Sequence, residues 1–152
     1  MKKILLIMFH YHYVSLNKIK DEISDIVDLK LYSSKLLTEG KQDIDELNKD
    51  IEDSDLLILN RSSSQGIWGE IEETINNSSK EKIYVGEEMT SYINDKEQLE
   101  KSIICNSYLT CNGKWNLINM IKYMLATYLR ENVKYDKPKE SPLKVLISDI
   151  PL

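Results

Sequence analysis

The chain has 152 residues, enough for one domain with a sizeable core. A hydrophobic share of 41% and a charged share of 30% are those of an ordinary soluble domain, and a net charge of -5 without any basic stripe argues against a nucleic-acid partner. Two cysteines, Cys105 and Cys111, are too few for a disulfide framework and lack metal-type spacing. No apolar run is long enough to cross a bilayer. Met1-Lys2-Lys3 ahead of Ile4–Phe9 has the outline of a secretory signal, but the apolar run is short and meets His10-Tyr11-His12-Tyr13 instead of a small-residue cleavage site. The reading is a cytoplasmic protein with free thiols and no membrane span.

The apolar run Lys3–Phe9 predicts a central strand, with His10–Asn17 as its exit loop. Leu16, Ile19, Ile23 and Ile26 recur at helical spacing. Val27, Leu29 and Leu31 alternate with Asp28 and Lys30, the pattern of a half-exposed strand at a sheet edge. Ser33–Lys41 is a turn-rich connection. Ile44, Leu47 and Ile51 then mark one face of a short helix with acidic residues at its start. Asp55–Asn60 is a second continuous apolar run, the mark of a strand buried on both faces. It ends in the polar turn Arg61-Ser62-Ser63-Ser64-Gln65, and a helix with Ile67, Trp68, Ile71 and Ile75 on one side begins near Gly66. Asn76-Asn77-Ser78-Ser79 stops that helix. Lys82–Gly86 is a fourth strand, with Glu87-Glu88 at its exit. Met89–Ile104 is helical in large part, and the longest helix runs from about Gly113 to about Arg130. Pro138 and Pro142 mark an extended stretch, and Leu143–Ile150 turns apolar again.

Strands alternating with helices predict an α/β fold, a flavodoxin-like or Rossmann-like open sheet of about four or five mainly parallel strands with helices on both faces. The Val27–Leu31 strand is expected at an edge beside Ile4–Phe9, which in turn pairs with Asp55–Asn60. The α/β domain spans residues 1–132, and residues 133–152 read as a Pro-containing linker and the start of a truncated following segment.

Familiar catalytic motifs are missing. The first strand exit has no Gly-rich turn, no Walker loop occurs, and no Gly-x-Ser-x-Gly elbow is present. No bound flavin or nicotinamide, and no ATP hydrolysis, is therefore expected of this segment. The candidate binding residues lie at strand exits, where open α/β sheets hold ligands. His10 and His12 are two apart and would share a face of an extended segment, where imidazoles can move protons or bind metal; packing over the sheet edge is the plainer alternative. Arg61, Ser62, Ser63, Ser64 and Gln65 offer a cation, hydroxyls and backbone donors for an anion, while helix capping alone accounts for one serine. Glu87 is either a solvated carboxylate or a ligand contact. Trp68 suits core packing, or a flat face for a flat ligand. No residue is assigned a catalytic or metal-binding role.

The strand Asp55–Asn60 with its Ser-rich loop and Trp68 resembles the third strand and following helix of cobaltochelatase large subunits of the CobN type and of the related magnesium chelatase H subunits. Tyr108, Gly113, Asn116, Asn119, Leu125, Tyr135, Pro138 and Pro142 follow in an order similar to that family's, with Asn112 where its first glycine is usual and Trp115 where its acid is usual. The resemblance implies the N-terminal, non-catalytic domain of a tetrapyrrole metal chelatase large subunit, contributing to tetrapyrrole enclosure or subunit contact. In that setting the rest of the large subunit, partner ATPase subunits and a porphyrinoid substrate are its partners, cobalt or magnesium is inserted, and ATP is used on the partner subunits. The alternatives from the residues alone are a free-standing flavodoxin-like small-ligand-binding protein and a regulatory interaction module.

Overall fold

The apolar run near the N-terminus forms strand β1 (Lys3–Met8), and the second run forms β3 (Leu56–Leu59) beside it. From Ile4 to Met8 and from Leu56 to Leu59 every side chain is inaccessible to solvent. Strands with no solvent on either face need neighbours on both edges and helices above and below. The computed structural model, which describes residues 1–140, supplies all of these. β2 (Asp28–Ser33) flanks β1, and β4 (Glu81–Tyr84) flanks β3, in the order β2-β1-β3-β4 with every neighbouring pair parallel. Leu6 is paired with Leu31 on one side and Ile58 on the other, and Ile58 in turn with Ile83. The alternating strand Val27–Leu31 thus lies at an edge beside β1, as its pattern predicts.

Alternate residues of the central strands serve opposite cores. Ile4, Leu6, Met8, Leu56 and Ile58 face α1 (His10–Ile19), α5 (Lys96–Cys111) and α6 (Lys114–Thr127). Leu5, Ile7, Leu57 and Leu59 face α2 (Ser34–Thr38), α3 (Ile44–Asp53) and α4 (Ile67–Asn77). The result is a helix–sheet–helix sandwich. Each large side chain fully buried in these layers contributes about 1.5–3 kcal/mol. Asp43 caps α3 by accepting from the amides of Asp45 and Glu46, which explains the sharp start of that helix.

Three local readings need correction. His10–Asn17 is not an exit loop: α1 starts immediately after β1. Its first residues are aromatic and β-branched, and Phe9 at the N-cap offers no side-chain hydrogen bond, so local preference gave no start signal. Leu16 and Ile19, buried against the sheet, hold it instead. Ser34–Thr38, expected as turns, forms the short helix α2, with the Ser33 hydroxyl accepting from the Leu36 amide. The longest helix is α5, which runs on through Tyr108 to Cys111. It is broken by Asn112 and Gly113, both at positive φ, and α6 begins only after them. Residues 133–140 form no regular element, and the Asp136 and Lys139 amides among them donate to Asn119 and Asn116 of α6. The apolar segment Leu143–Ile150 is outside the described residues. No helix among the described residues is long and apolar enough to cross a membrane.

Gly69 lies on the exposed side of α4, and a Cβ there would meet nothing within 4 Å. Gly69→Ala is expected to raise stability by about 0.5–1 kcal/mol, since alanine loses less backbone entropy on entering a helix. Urea denaturation measures this, and a destabilised variant would show that the α4 surface is not free at this turn.

Candidate functional site

Parallel strands place all their carboxyl ends on one edge. From β1 the chain passes to β2 on one side and later to β3 on the other, so the crevice above β1 and β3 is the topological switch point of the sheet. A cleft of about 480 Å³ opens there. Phe9, Tyr11 and His12 enter it from the end of β1, Asn60 from the end of β3, and Gly86 and Glu87 from the end of β4. Asn106, Leu109, Thr110 and Asn112, at the end of α5, form the remaining wall. None of these lining residues is Lys or Arg.

The floor is set by a close backbone approach. Asn60 is only 2% exposed, and a Cβ on Gly86 would lie 2.3 Å from its Oδ1. Gly86 also has φ +96°, a conformation that other residues adopt only under strain. Its amide donates to Asn106 Oδ1 at 2.9 Å, tying the β4 exit to α5. At the mouth, Asn112 Nδ2 donates to the Tyr11 hydroxyl at 2.6 Å, and Tyr11 itself is 64% exposed. Three acceptor-capable atoms in this wall make no hydrogen bond: His12 Nδ1, Asn60 Oδ1 and Asn112 Oδ1. Such atoms are costly to leave unpaired, and in folded proteins they often mark places that receive a ligand's donors. Burial lowers the His12 pKa from its ordinary value, which favours a neutral ring that can both donate and accept. The cleft therefore joins apolar area from Phe9, Tyr11 and Leu109 to neutral amides, an imidazole and one carboxylate.

The residues expected from the sequence are split between this cleft and other surroundings. His12 and Glu87 line it. His10 does not accompany His12, because residues two apart on a helix point about 200° apart rather than along one face. Its Nδ1 lies 3.0 Å from Ser33 Oγ, and its ring stacks on Tyr13. Arg61 follows β3 but turns to the opposite layer. Its guanidinium donates to Glu72 at 3.0 Å and lies 4.6 Å from the Tyr92 ring centre, which itself stacks on Tyr84. Ser62 and Ser64 bond to each other, and Ser63 donates through its amide and its hydroxyl to Glu88. Those bonds hold the Glu88 carboxyl below the usual range. Gln65 accepts from the Trp68 indole at 3.0 Å, and Trp68 is 2% exposed in the core beneath α4, so its ring presents no free face.

The sequence reading missed Asn60, Asn106 and Asn112. Asn60 had a signal, a polar residue closing an otherwise apolar strand. Asn106 and Asn112 had none, because only the packing of α5 brings them to the strand exits. Among the described residues no cluster of three or more His, Cys, Asp or Glu could hold a metal ion. Cys105 is fully buried, and burial pushes its thiol up to about 12, so it is unsuited to nucleophilic work.

The sequence matches no protein-family model and no curated protein. Among solved structures, the fold is similar to part of the catalytic subunit of cobaltochelatase from Mycobacterium tuberculosis, with a TM-score of 0.62 and 15% identity. The likeness covers 93% of this chain and 12% of that one. At that identity it shows a shared fold.

Two outcomes follow from the geometry. Gly86→Ala is expected to cost roughly 2–4 kcal/mol, from left-handed strain together with overpacking against Asn60; a denaturation midpoint equal to that of the unaltered protein would rule out the close approach. His12 titrates below its unfolded value of about 6.5, so the unfolded chain binds its proton first as pH falls. Stability is therefore full above that value and falls as pH drops from it down through the lower folded midpoint. NMR titration of the ring should give a midpoint under ~6.5, and a midpoint at or above that value would contradict the burial argument.

Proposed function

We propose that this chain is a non-catalytic α/β domain of a tetrapyrrole metal chelatase large subunit, and that its switch-point cleft receives one edge of the tetrapyrrole. The observation that carries the reading is the fold likeness to a cobaltochelatase catalytic subunit over 93% of this chain and 12% of the other. A whole chain matching a domain-sized part of a chelatase is what such a domain would do. The resemblance in Asp55–Trp68 and in the Tyr108–Pro142 series supports the same placement at the N-terminal end of a large subunit.

In this reading the ring edge rests on Phe9, Tyr11 and Leu109, while Glu87, Asn112 and neutral His12 meet its peripheral polar groups. The cleft volume lies within the range of small-ligand sites and suits part of a broad ring more than all of it. Arg61, already engaged with Glu72 and Tyr92, is not given the task of holding a carboxylate. Cobalt or magnesium is the cargo of the complete enzyme, and ATP is used by partner subunits. This segment contributes no ligand to the metal and no catalytic residue. Its work is to exclude water from one side of the substrate and to orient it.

Titration of the full chain with a porphyrinoid, followed by tryptophan fluorescence, tests the reading. Saturable binding is expected. Tyr11→Ala, at a largely exposed ring, should weaken it about tenfold through lost aromatic contact. Lys49→Ala, on the exposed side of α3 across the sheet, should leave it unchanged. Absence of saturable binding would reduce the domain's part to contact with other portions of a large subunit, and equal effects of the two substitutions would place the site elsewhere.

A further inference from the structure

Two asparagines on the first turns of α6 are almost completely buried, Asn116 at 5% and Asn119 at 6% exposure. Their carboxamides are oriented by carbonyls one turn earlier in the chain: Asn116 Nδ2 donates to the Asn112 carbonyl, at the α5–α6 junction, at 2.7 Å, and Asn119 Nδ2 to the Trp115 carbonyl of α6 at 3.0 Å. That fixes which way each amide points and leaves each Oδ1 facing outward as an acceptor. Asn119 Oδ1 accepts from the Asp136 amide at 2.9 Å, and Asn116 Oδ1 from the Lys139 amide at 2.8 Å. The carbonyls of the same two residues are also met, Asp136 by the Tyr108 hydroxyl and Lys139 by Asn116 Nδ2 at 2.7 Å. Side chains of α5 and α6 thus satisfy both backbone groups of two residues three apart. Three residues is the repeat of an extended polyproline-type chain, and Pro138 between them favours that conformation.

We infer that Tyr108, Asn116 and Asn119 form a clamp for an extended main chain, whose occupant is this chain's own segment 135–139. The clamp holds the segment so that whatever follows leaves the domain at a fixed point. The polar contacts read backbone, so they are indifferent to side-chain identity. Register comes from the ends: the Lys139 ammonium lies 4.3 Å from the Trp115 ring centre, and Tyr135 meets Tyr123 edge-on with ring centres 5.2 Å apart. A segment docked in this way acts as a stiff extension of the domain, unlike a Pro-spaced tether. The inference stands on α5, α6 and their contacts, and does not depend on the chelatase reading.

Hydrogen exchange of the full chain by NMR tests it, together with tryptic cleavage after Lys134. In the unaltered protein the Asp136 and Lys139 amides should exchange at least ~tenfold more slowly than in an unstructured peptide, the equivalent of one net hydrogen bond each. Lys139→Pro removes the amide donor and the ammonium without touching either helix, and should raise both Asp136 exchange and Lys134 cleavage by about tenfold while the thermal midpoint stays put. Lys139→Ala keeps the amide donor and should retain most of the Asp136 protection. Unprotected amides in the unaltered protein would overturn the clamp, as would a Lys139→Pro variant with Asp136 exchange and Lys134 cleavage both unchanged.

Discussion

β1 and β3 lie side by side with no solvent on either face, and the rest of the molecule answers that condition. A backbone amide or carbonyl in such a position has no water to fall back on, so each must find a partner in the neighbouring strand. The β1–β3 register, Ile4 with Leu56 through Ile7 with Leu59, supplies part of those partners, and β2 and β4 supply the rest. The side chains alternate between two cores, so helices are required above and below, and a parallel pair cannot be closed by a tight turn. The crossover helices, the flanking strands β2 and β4, and the collection of every strand exit at one edge all follow from burying this pair twice.

The cleft is a consequence of the same topology. Where the chain departs from β1 in one direction and returns to β3 in the other, no connection covers the gap between their ends. In this protein the gap is not lined by a glycine-rich phosphate cradle. α1 enters it with Phe9, Tyr11 and His12, bulky groups that leave little room for a phosphate against the helix start. Glycine appears instead at the β4 exit, where Gly86 lets Asn60 approach its backbone and frees an amide for Asn106. Apart from Glu87 the polar groups that line the cleft are neutral and mostly amides, and the cation at the β3 exit, Arg61, is paired with Glu72 in the other layer. The cleft thus offers shape and hydrogen-bonding groups more than charge.

Buried amides recur at the far side of α6. Asn116 and Asn119 stand in the first two turns of α6, where asparagine past the cap is a poor helix former. Their placement makes physical sense once residues 135–139 are docked on them: both Oδ1 atoms accept from the docked backbone, Asn119 Nδ2 donates within α6, and Asn116 Nδ2 donates to the Asn112 and Lys139 carbonyls. A helix and an extended chain, which cannot pair by a ladder, are joined here by side chains that imitate one.

The continuous apolar runs at Ile4–Met8 and Leu56–Leu59 could only be doubly buried strands. The alternation at Val27–Leu31 marked an edge, and the 3.6-residue spacing in α3 and α4 named their buried faces, because these patterns report how much of each segment meets solvent. The order β2-β1-β3 was expected from the edge pattern and open-sheet topology, while the place of β4 beside β3 is given by the structure. Of the candidate binding residues read at the strand exits, His12 and Glu87 lie along the cleft. Tertiary structure decided the rest. α1 begins at His10 against its own local preference because Leu16 and Ile19 gain a core, and that one change separated His10 from His12. Arg61 went to Glu72 and Tyr92, and Trp68 into the core, because side-chain partners far along the chain were available there. Asn60, Asn106 and Asn112 meet only after α5 has packed, and Asn116 and Asn119 find Lys139 and Asp136 only after the chain has turned back. Solvent exposure writes itself into local periodicity, whereas the partner of a polar group is set by distance in space, which local periodicity does not encode.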